Sequence, residues 1–129
     1  MRSTFVAVPQ EQFSKWYNGE AVEIAGVSSP IGPPGGEELI SQFGCSSCHS
    51  SDGSVLVGPS FKGMFGAPAR VMEDGESRTI IVDEPYLRRH ILDHDRDIVA
   101  GYPDVMPAFR GNITDRELEE IIDYLEQLQ

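Results

Sequence analysis

The sequence predicts a mostly α-helical fold carrying one small β-hairpin, and three local patterns say so. Thr114-x-x-Glu117 is a capping box. It stands ahead of Leu118, Ile121, Ile122, Leu125 and Leu128, which share one face at helical spacing. Asp83 precedes Pro85, and Leu87 and Ile91 follow one turn apart, so another helix is expected to start at Asp83 with those two residues inward. "RVMEDGESRTIIV", residues 70–82, sets Asp74-Gly75 between two runs of strand formers, the chemistry of a two-residue hairpin turn. No βαβ alternation runs through the chain.

In chain order, "TFVAV" (residues 4–8) reads as a short strand. Pro9 opens a helix with Phe13, Trp16 and Tyr17 on one face. "SSPIGPPGG" (residues 28–36) is too rich in Pro and Gly for either regular structure, so it reads as a linker. The division expected is therefore 1–28, a linker at 29–36, and a main domain at 37–129. A short helix over about 37–43 leads into Cys45, and residues 50–69 form a Gly- and Pro-rich loop ahead of the hairpin. The final helix follows the capping box.

A chain of 129 residues with 40% apolar content suits one modest core, to which a buried group would add stability. Lys plus Arg number 10 and Asp plus Glu 21, a formal charge of -11. Such a chain repels nucleic acid phosphates and anionic membrane surfaces, and suits basic or neutral protein partners. No run of about 18 apolar residues is present, so no direct membrane insertion is expected. Nor does the start of the chain read as a signal peptide.

Both cysteines lie in "FGCSSCHSSDG", residues 43–53, with His49 directly after the second. A redox dithiol would follow a strand in an α/β unit, whereas the residues before Cys45 read as a helix. Zinc needs four ligands, and beyond Cys45 and Cys48 only the distant His90 and His94 are on offer. A disulfide across two intervening residues would close too small a loop to restrict the unfolded chain much. Covalent haem c uses all three residues, with Cys45 and Cys48 taking the two vinyl groups and His49 one face of the iron.

A second axial ligand must then come from the opposite face. Met64 is only 15 residues beyond His49, and Met72 sits in the hairpin. Met106 in "GYPDVMPAF" lies between Pro103 and Pro107, which would stiffen the loop around a weak sulfur ligand. Its bland alternative is core filling. His90 reads as a surface or partly buried helix residue, His94 as solvated, and Arg88-Arg89 as a solvated helix face. Arg70, Arg78, Tyr102 and Lys62 are the candidate donors to the haem propionates.

"GEELISQFGCSSCHSSDGSVLVGPSFKGMFG", followed by "GYPDVMPAF" and a terminal helix, resembles the class I cytochrome c family over about residues 35–129. The hairpin and "DEPYLRRHI" resemble more narrowly the cytochrome c domain fused to the end of cytochrome c oxidase subunit II in caa-type haem-copper oxidases. That resemblance implies a class I cytochrome c fold with helices around one covalent haem. It implies that the Pro59 carbonyl accepts the second ring N–H of His49. It also implies that the last helix crosses the first near the haem, with Leu39, Phe43 and Tyr124 at the contact. The N-terminal stretch resembles the closing strand and tail helix of a subunit II copper domain. Met1 matches a copper-ligand position there, but the other copper ligands are absent, so no copper site is carried over. The chain is accordingly expected to be part of a larger, membrane-anchored polypeptide on the extracytoplasmic, periplasmic face of a bacterial inner membrane. Its partners would be the copper domain of the same subunit and a basic or neutral electron donor. It would be an electron carrier and not itself an enzyme. A free-standing class I cytochrome c serving another enzyme stands as the alternative.

Overall fold

A computed structural model describes residues 7–24 and 34–129. The chain divides into two compact units, residues 1–34 and 35–129. The strand expected over 4–8 falls mainly outside the described residues, and residues 7 and 8 are not in a strand. The Pro/Gly stretch at 28–36 likewise lies mostly outside them.

In the first unit, helix α1 spans Gln10–Tyr17. Pro9 occupies the N-cap with φ -56, a torsion its ring imposes. Phe13 stacks on Tyr17 at 6.2 Å between ring centroids and lies 5.9 Å from Trp16, so the expected aromatic face forms and stays largely exposed.

The second unit begins with α2, Gly36–Gln42. Helix α2 packs against the last helix, α4, Asp115–Gln127. The approach is close because residue 36 has no side chain. A Cβ there would stand 2.1 Å from the Glu120 carbonyl oxygen and 2.4 Å from the Tyr124 Cβ. Leu39 and Ile40 of α2 are buried, as are Leu118, Ile121, Ile122 and Leu125 of α4. The stripe expected on the last helix is therefore the core face, with Leu128 half-buried at its end. Thr114 and Glu117 bond reciprocally as a capping box. Those bonds hold the Glu117 carboxyl below its ordinary range, so this exposed cap weakens only as pH falls through the acidic range.

Strand β1, Pro68–Glu73, pairs antiparallel with β2, Glu76–Ile81. Asp74 and Gly75 take φ of 52 and 82 between them, the left-handed turn that suits a right-twisted hairpin. Along β1 only Val71 is fully buried, while Arg70 and Met72 face out, the alternation of a half-covered strand. Helix α3, Glu84–Leu92, starts where expected, with the Asp83 side chain accepting from the Tyr86 N–H. Leu87 is buried and Ile91 half-buried.

The hairpin is not the whole sheet. Residues Ile98–Val99 form a further strand, β3, antiparallel to β1 with Val71 opposite Val99. The order is β2-β1-β3, so the described residues form four α-helices and a three-stranded antiparallel sheet. Two residues are too short a run for periodicity to declare, and only the free edge of β1 makes them a strand.

Candidate functional site

Helix α2 ends at Gln42 with Phe43 as its C-cap, and Gly44 turns the chain with φ 76 into a 3-10 turn over Cys45–Ser47. The N–H groups of Cys48 and His49 both donate to the Cys45 carbonyl, at 3.1 and 3.0 Å. Both cysteines are free and half-buried. Burial pushes the Cys45 thiol up, the opposite of what a reactive redox thiol needs. No group of three or more His, Cys, Asp or Glu among the described residues is placed to hold a metal ion.

His49 is fixed on three sides. Its Nδ1 lies 2.7 Å from the Pro59 carbonyl oxygen. A carbonyl only accepts, so Nδ1 carries the proton and donates, and Nε2 keeps its lone pair. The ring stacks on Phe61 at 4.7 Å with an interplanar angle of 11°. Gly58 closes on the ring so tightly that a Cβ there would meet its Cε1 at 2.5 Å. Burial lowers the pKa of the ring, partly offset by the Pro59 bond, which favours the neutral imidazole that binds metals. The loop supplying these partners is tied to the motif by Gly58 N–H to Cys48 O and Phe61 N–H to Ser50 O, each 2.8 Å.

Cys48 and His49 open onto an apolar cavity whose walls include Phe43, Val57, Val82, Leu87, Val99, Phe109 and Leu125. Met106 is half-buried on the same cavity. Its loop is anchored by Ala100 N–H to Arg70 O (2.8 Å) and Phe109 N–H to Ile91 O (3.2 Å). Met64 also lines the cavity, but from the turn that carries Phe61, the stacking partner of His49. Met72 is on the outer side of β1 and does not line it. Cys45 packs against the hydrophobic core beside the cavity and does not line it.

The lining also has polar members. Tyr86, His90, His94 and Tyr102 all line the cavity. Two expectations fail here. The His94 side chain is only 14% exposed and lies 3.2 Å from Asp104, because the 3-10 turn after α3 folds it inward instead of into solvent. Its Nδ1 is 3.3 Å from Asp95, but out of hydrogen-bonding alignment. Nor is Arg88-Arg89 a solvated face. Arg88 reaches Glu84 and Glu119, and Arg89 bonds Asp97, which is fully buried. Arg78 at 3.5 Å and His90 Nδ1 at 3.4 Å share the same carboxylate. A buried carboxylate needs such partners. Of the four propionate-donor candidates, only Tyr102 is on the cavity wall. Arg78 is committed to Glu73 and Asp97, and Arg70 and Lys62 are exposed outside it.

The residues present fit a haem. The cavity brings an imidazole with a free Nε2 and a thioether onto an apolar slot beside two thiols. Gly58, Phe61, Tyr86 and Asp97 are members of this neighbourhood that sequence reasoning did not single out. Only Gly58 carried a signal, as part of the Gly-Pro pair after the motif.

Residues 33–125 match the model of a family described as "Cytochrome C oxidase, cbb3-type, subunit III". No curated protein matches the chain.

Proposed function

The chain belongs to that family of cytochrome c domains, whose model spans more than half of it, and on that premise we propose that it carries electrons on one covalent haem c held by Cys45, Cys48, His49 and Met106. The family match supports haem-based electron transfer as its role. When bound, the haem supplies a one-electron couple at its iron. Cys45 and Cys48 would hold it through thioethers. His49 Nε2, with Pro59 fixing the ring's tautomer and aim, would be one ligand to the iron, and the Met106 thioether would be the other. The apolar walls keep water from the site. The observation that carries this reading is the single cavity joining Cys48, a neutral and clamped His49, and Met106.

The ferric holoprotein is expected to show the weak charge-transfer band at the red end of the spectrum that marks thioether ligation. Met106→Ala should abolish it, and Met64→Ala and Met72→Ala should leave it. Met106→His should stay six-coordinate and low-spin at a lower potential, because imidazole stabilises ferric iron more than a thioether does. A band that disappears with Met64→Ala instead overturns the assignment of Met106.

We further propose that the domain is joined to subunit II of a caa-type oxidase and delivers its electron to the binuclear copper there, on the extracytoplasmic face of the membrane. The hairpin and "DEPYLRRHI" support this reading, while the matched family model is named for a subunit of another oxidase type. Among the described residues no helix is long and apolar enough to cross a membrane, so any anchor would be elsewhere in the polypeptide. With a charge of -11, electron entry from a basic donor should be steered and should slow as salt rises. Transfer within the intact subunit is tethered and should change little. Flash-induced reduction of the intact subunit at several ionic strengths measures both steps. A steep salt dependence of the haem-to-copper step would assign the domain to free-standing carriers.

A further inference from the structure

We propose that His90 is a redox-linked proton site: its Nε2 takes a proton from solvent when the domain accepts an electron and returns it when the electron leaves. The inference deepens the haem reading and rests on it.

His90 stands on the cavity lining and is held there by its neighbours. Its Nδ1 is 3.4 Å from Asp97 Oδ1, and Asp97 is fully buried. The ring stacks on Tyr86 at 5.1 Å between centroids and meets the His94 ring edge-on at 6.5 Å. A carboxylate only accepts, so Nδ1 carries the hydrogen and Nε2 keeps a lone pair. That Nε2 is in no hydrogen bond among the described residues, and it is not sealed in, because the side chain stays 15% exposed. A proton from solvent can therefore reach it.

Charge decides when it does. Asp97 already faces the guanidinium groups of Arg89 and Arg78, so a protonated His90 would be a third cation on one carboxylate. Burial lowers the pKa of the ring; Asp97 offsets part of this, and His94 and Arg89 add to it. Near pH 7 the ring is neutral while the iron is ferric. An electron entering the cavity removes one unit of positive charge from largely apolar surroundings, where charges are weakly screened. The affinity of Nε2 for a proton then rises. The step balances: one electron from the donor protein takes ferric iron to ferrous, and one proton from hydronium forms an N–H bond at Nε2 and leaves water.

The other ionisable groups on the lining, apart from Cys48 and His49, are Tyr86, His94, Tyr102 and Asp104. Burial pushes the Tyr86 phenol up to about 12, so it keeps its proton in either state. His94 lies between Asp95 and Asp104, both exposed, where water screens the charges. On the same helix, Arg88 is turned to Glu84 and to Glu119 of α4.

The test is the reduction potential of the holoprotein from about pH 4 to about pH 8, the span in which imidazoles titrate. Below the ferric-state pKa both redox states are protonated, and above the ferrous-state pKa both are neutral. Between the two, reduction takes up a proton, so the potential falls as pH rises. The lower edge of that window lies below the ordinary imidazole value. A proton held roughly threefold to tenfold more tightly in the ferrous protein gives a total fall of ~30–60 mV. His90→Gln should remove the fall, and His94→Gln should keep it. An NMR titration of the wild-type protein should give the His90 ring a higher pKa in the ferrous state than in the ferric, by the same factor. A purely structural His90 would change the stability of its variant and leave the pH profile in place.

A fall that persists in His90→Gln overturns the proposal and assigns the proton to another group, the carboxylates of the haem included. A fall abolished by His94→Gln overturns it as well. Should His90→Gln fail to hold haem, the wild-type titration decides, and equal His90 pKa values in the two redox states overturn the proton site. A wild-type protein lacking a haem spectrum overturns the haem reading itself. A haem-bearing protein whose potential is flat over the whole range overturns the proton site alone.

Discussion

The double variant Cys45→Ser, Cys48→Ser is expected to give up all of its haem to acidified acetone, while the unaltered protein keeps its colour in the pellet. On the proposed ligation, acid would break the bonds from iron to His49 and Met106, because it protonates the imidazole and unfolds the chain. It does not break thioethers. Each single variant should hold its haem through the remaining sulfur, so only the pair gives complete release. Both thiols are free and half-buried, one in the core margin and one on the cavity wall. The loss should also lower stability. A bound group that prefers the folded chain stabilises it by mass action, and covalent attachment keeps that group present at every dilution. Haem colour in the solvent from the unaltered protein would refute attachment at Cys45 and Cys48.

Gly36→Ala should be nearly as damaging, although residue 36 touches nothing in the cavity. Its new methyl group would overlap the Glu120 carbonyl oxygen and the Tyr124 Cβ. Neither atom is the end of a flexible side chain. Relief requires α2 and α4 to separate, which loosens the buried contacts of Leu39, Ile40, Leu118 and Ile122. The expected cost is about 3 kcal/mol, the upper part of the usual range for overpacking. For a domain of this size that is a fall in Tm of more than about 10 °C. Gly35→Ala is the control, since a Cβ there meets nothing within 4 Å and the backbone is extended at φ -79. It should cost no more than about 1 kcal/mol, because glycine's advantage over alanine at this N-cap position is partly offset by alanine narrowing the unfolded ensemble. Equal melting temperatures for the two variants would remove the close helix crossing as an explanation. The damage should reach the site as well, for α2 hands the chain to Cys45 through only Phe43 and Gly44.

The features legible in the sequence are those whose cause lies within a few residues. The capping box at Thr114, the Asp83 cap and the Asp74-Gly75 turn each depend on groups three or fewer positions apart, and each forms where expected. The Cys45-x-x-Cys48-His49 run is equally local, so its chemistry could be named before any fold was known. The expected Pro59 carbonyl lies 2.7 Å from His49 Nδ1, but it came from family resemblance and not from spacing.

Other features depended on partners distant in the chain. Strand β3 exists because β1 leaves an edge open, 26 residues or more earlier in the chain. Asp97 reads as one more surface acid in "DHDRD", yet it is the fully buried hub for Arg78, Arg89 and His90. His94 turns inward for a similar reason, since the turn after α3 places it against the Met106 loop at Asp104. Gly36 and Gly35 are indistinguishable by composition, and only the path of α4 makes one of them indispensable. The sequence by itself determined where helices and turns begin and which residues could hold a haem. The tertiary structure decided which polar groups are buried and what they face, because burial depends on what the far end of the chain brings alongside.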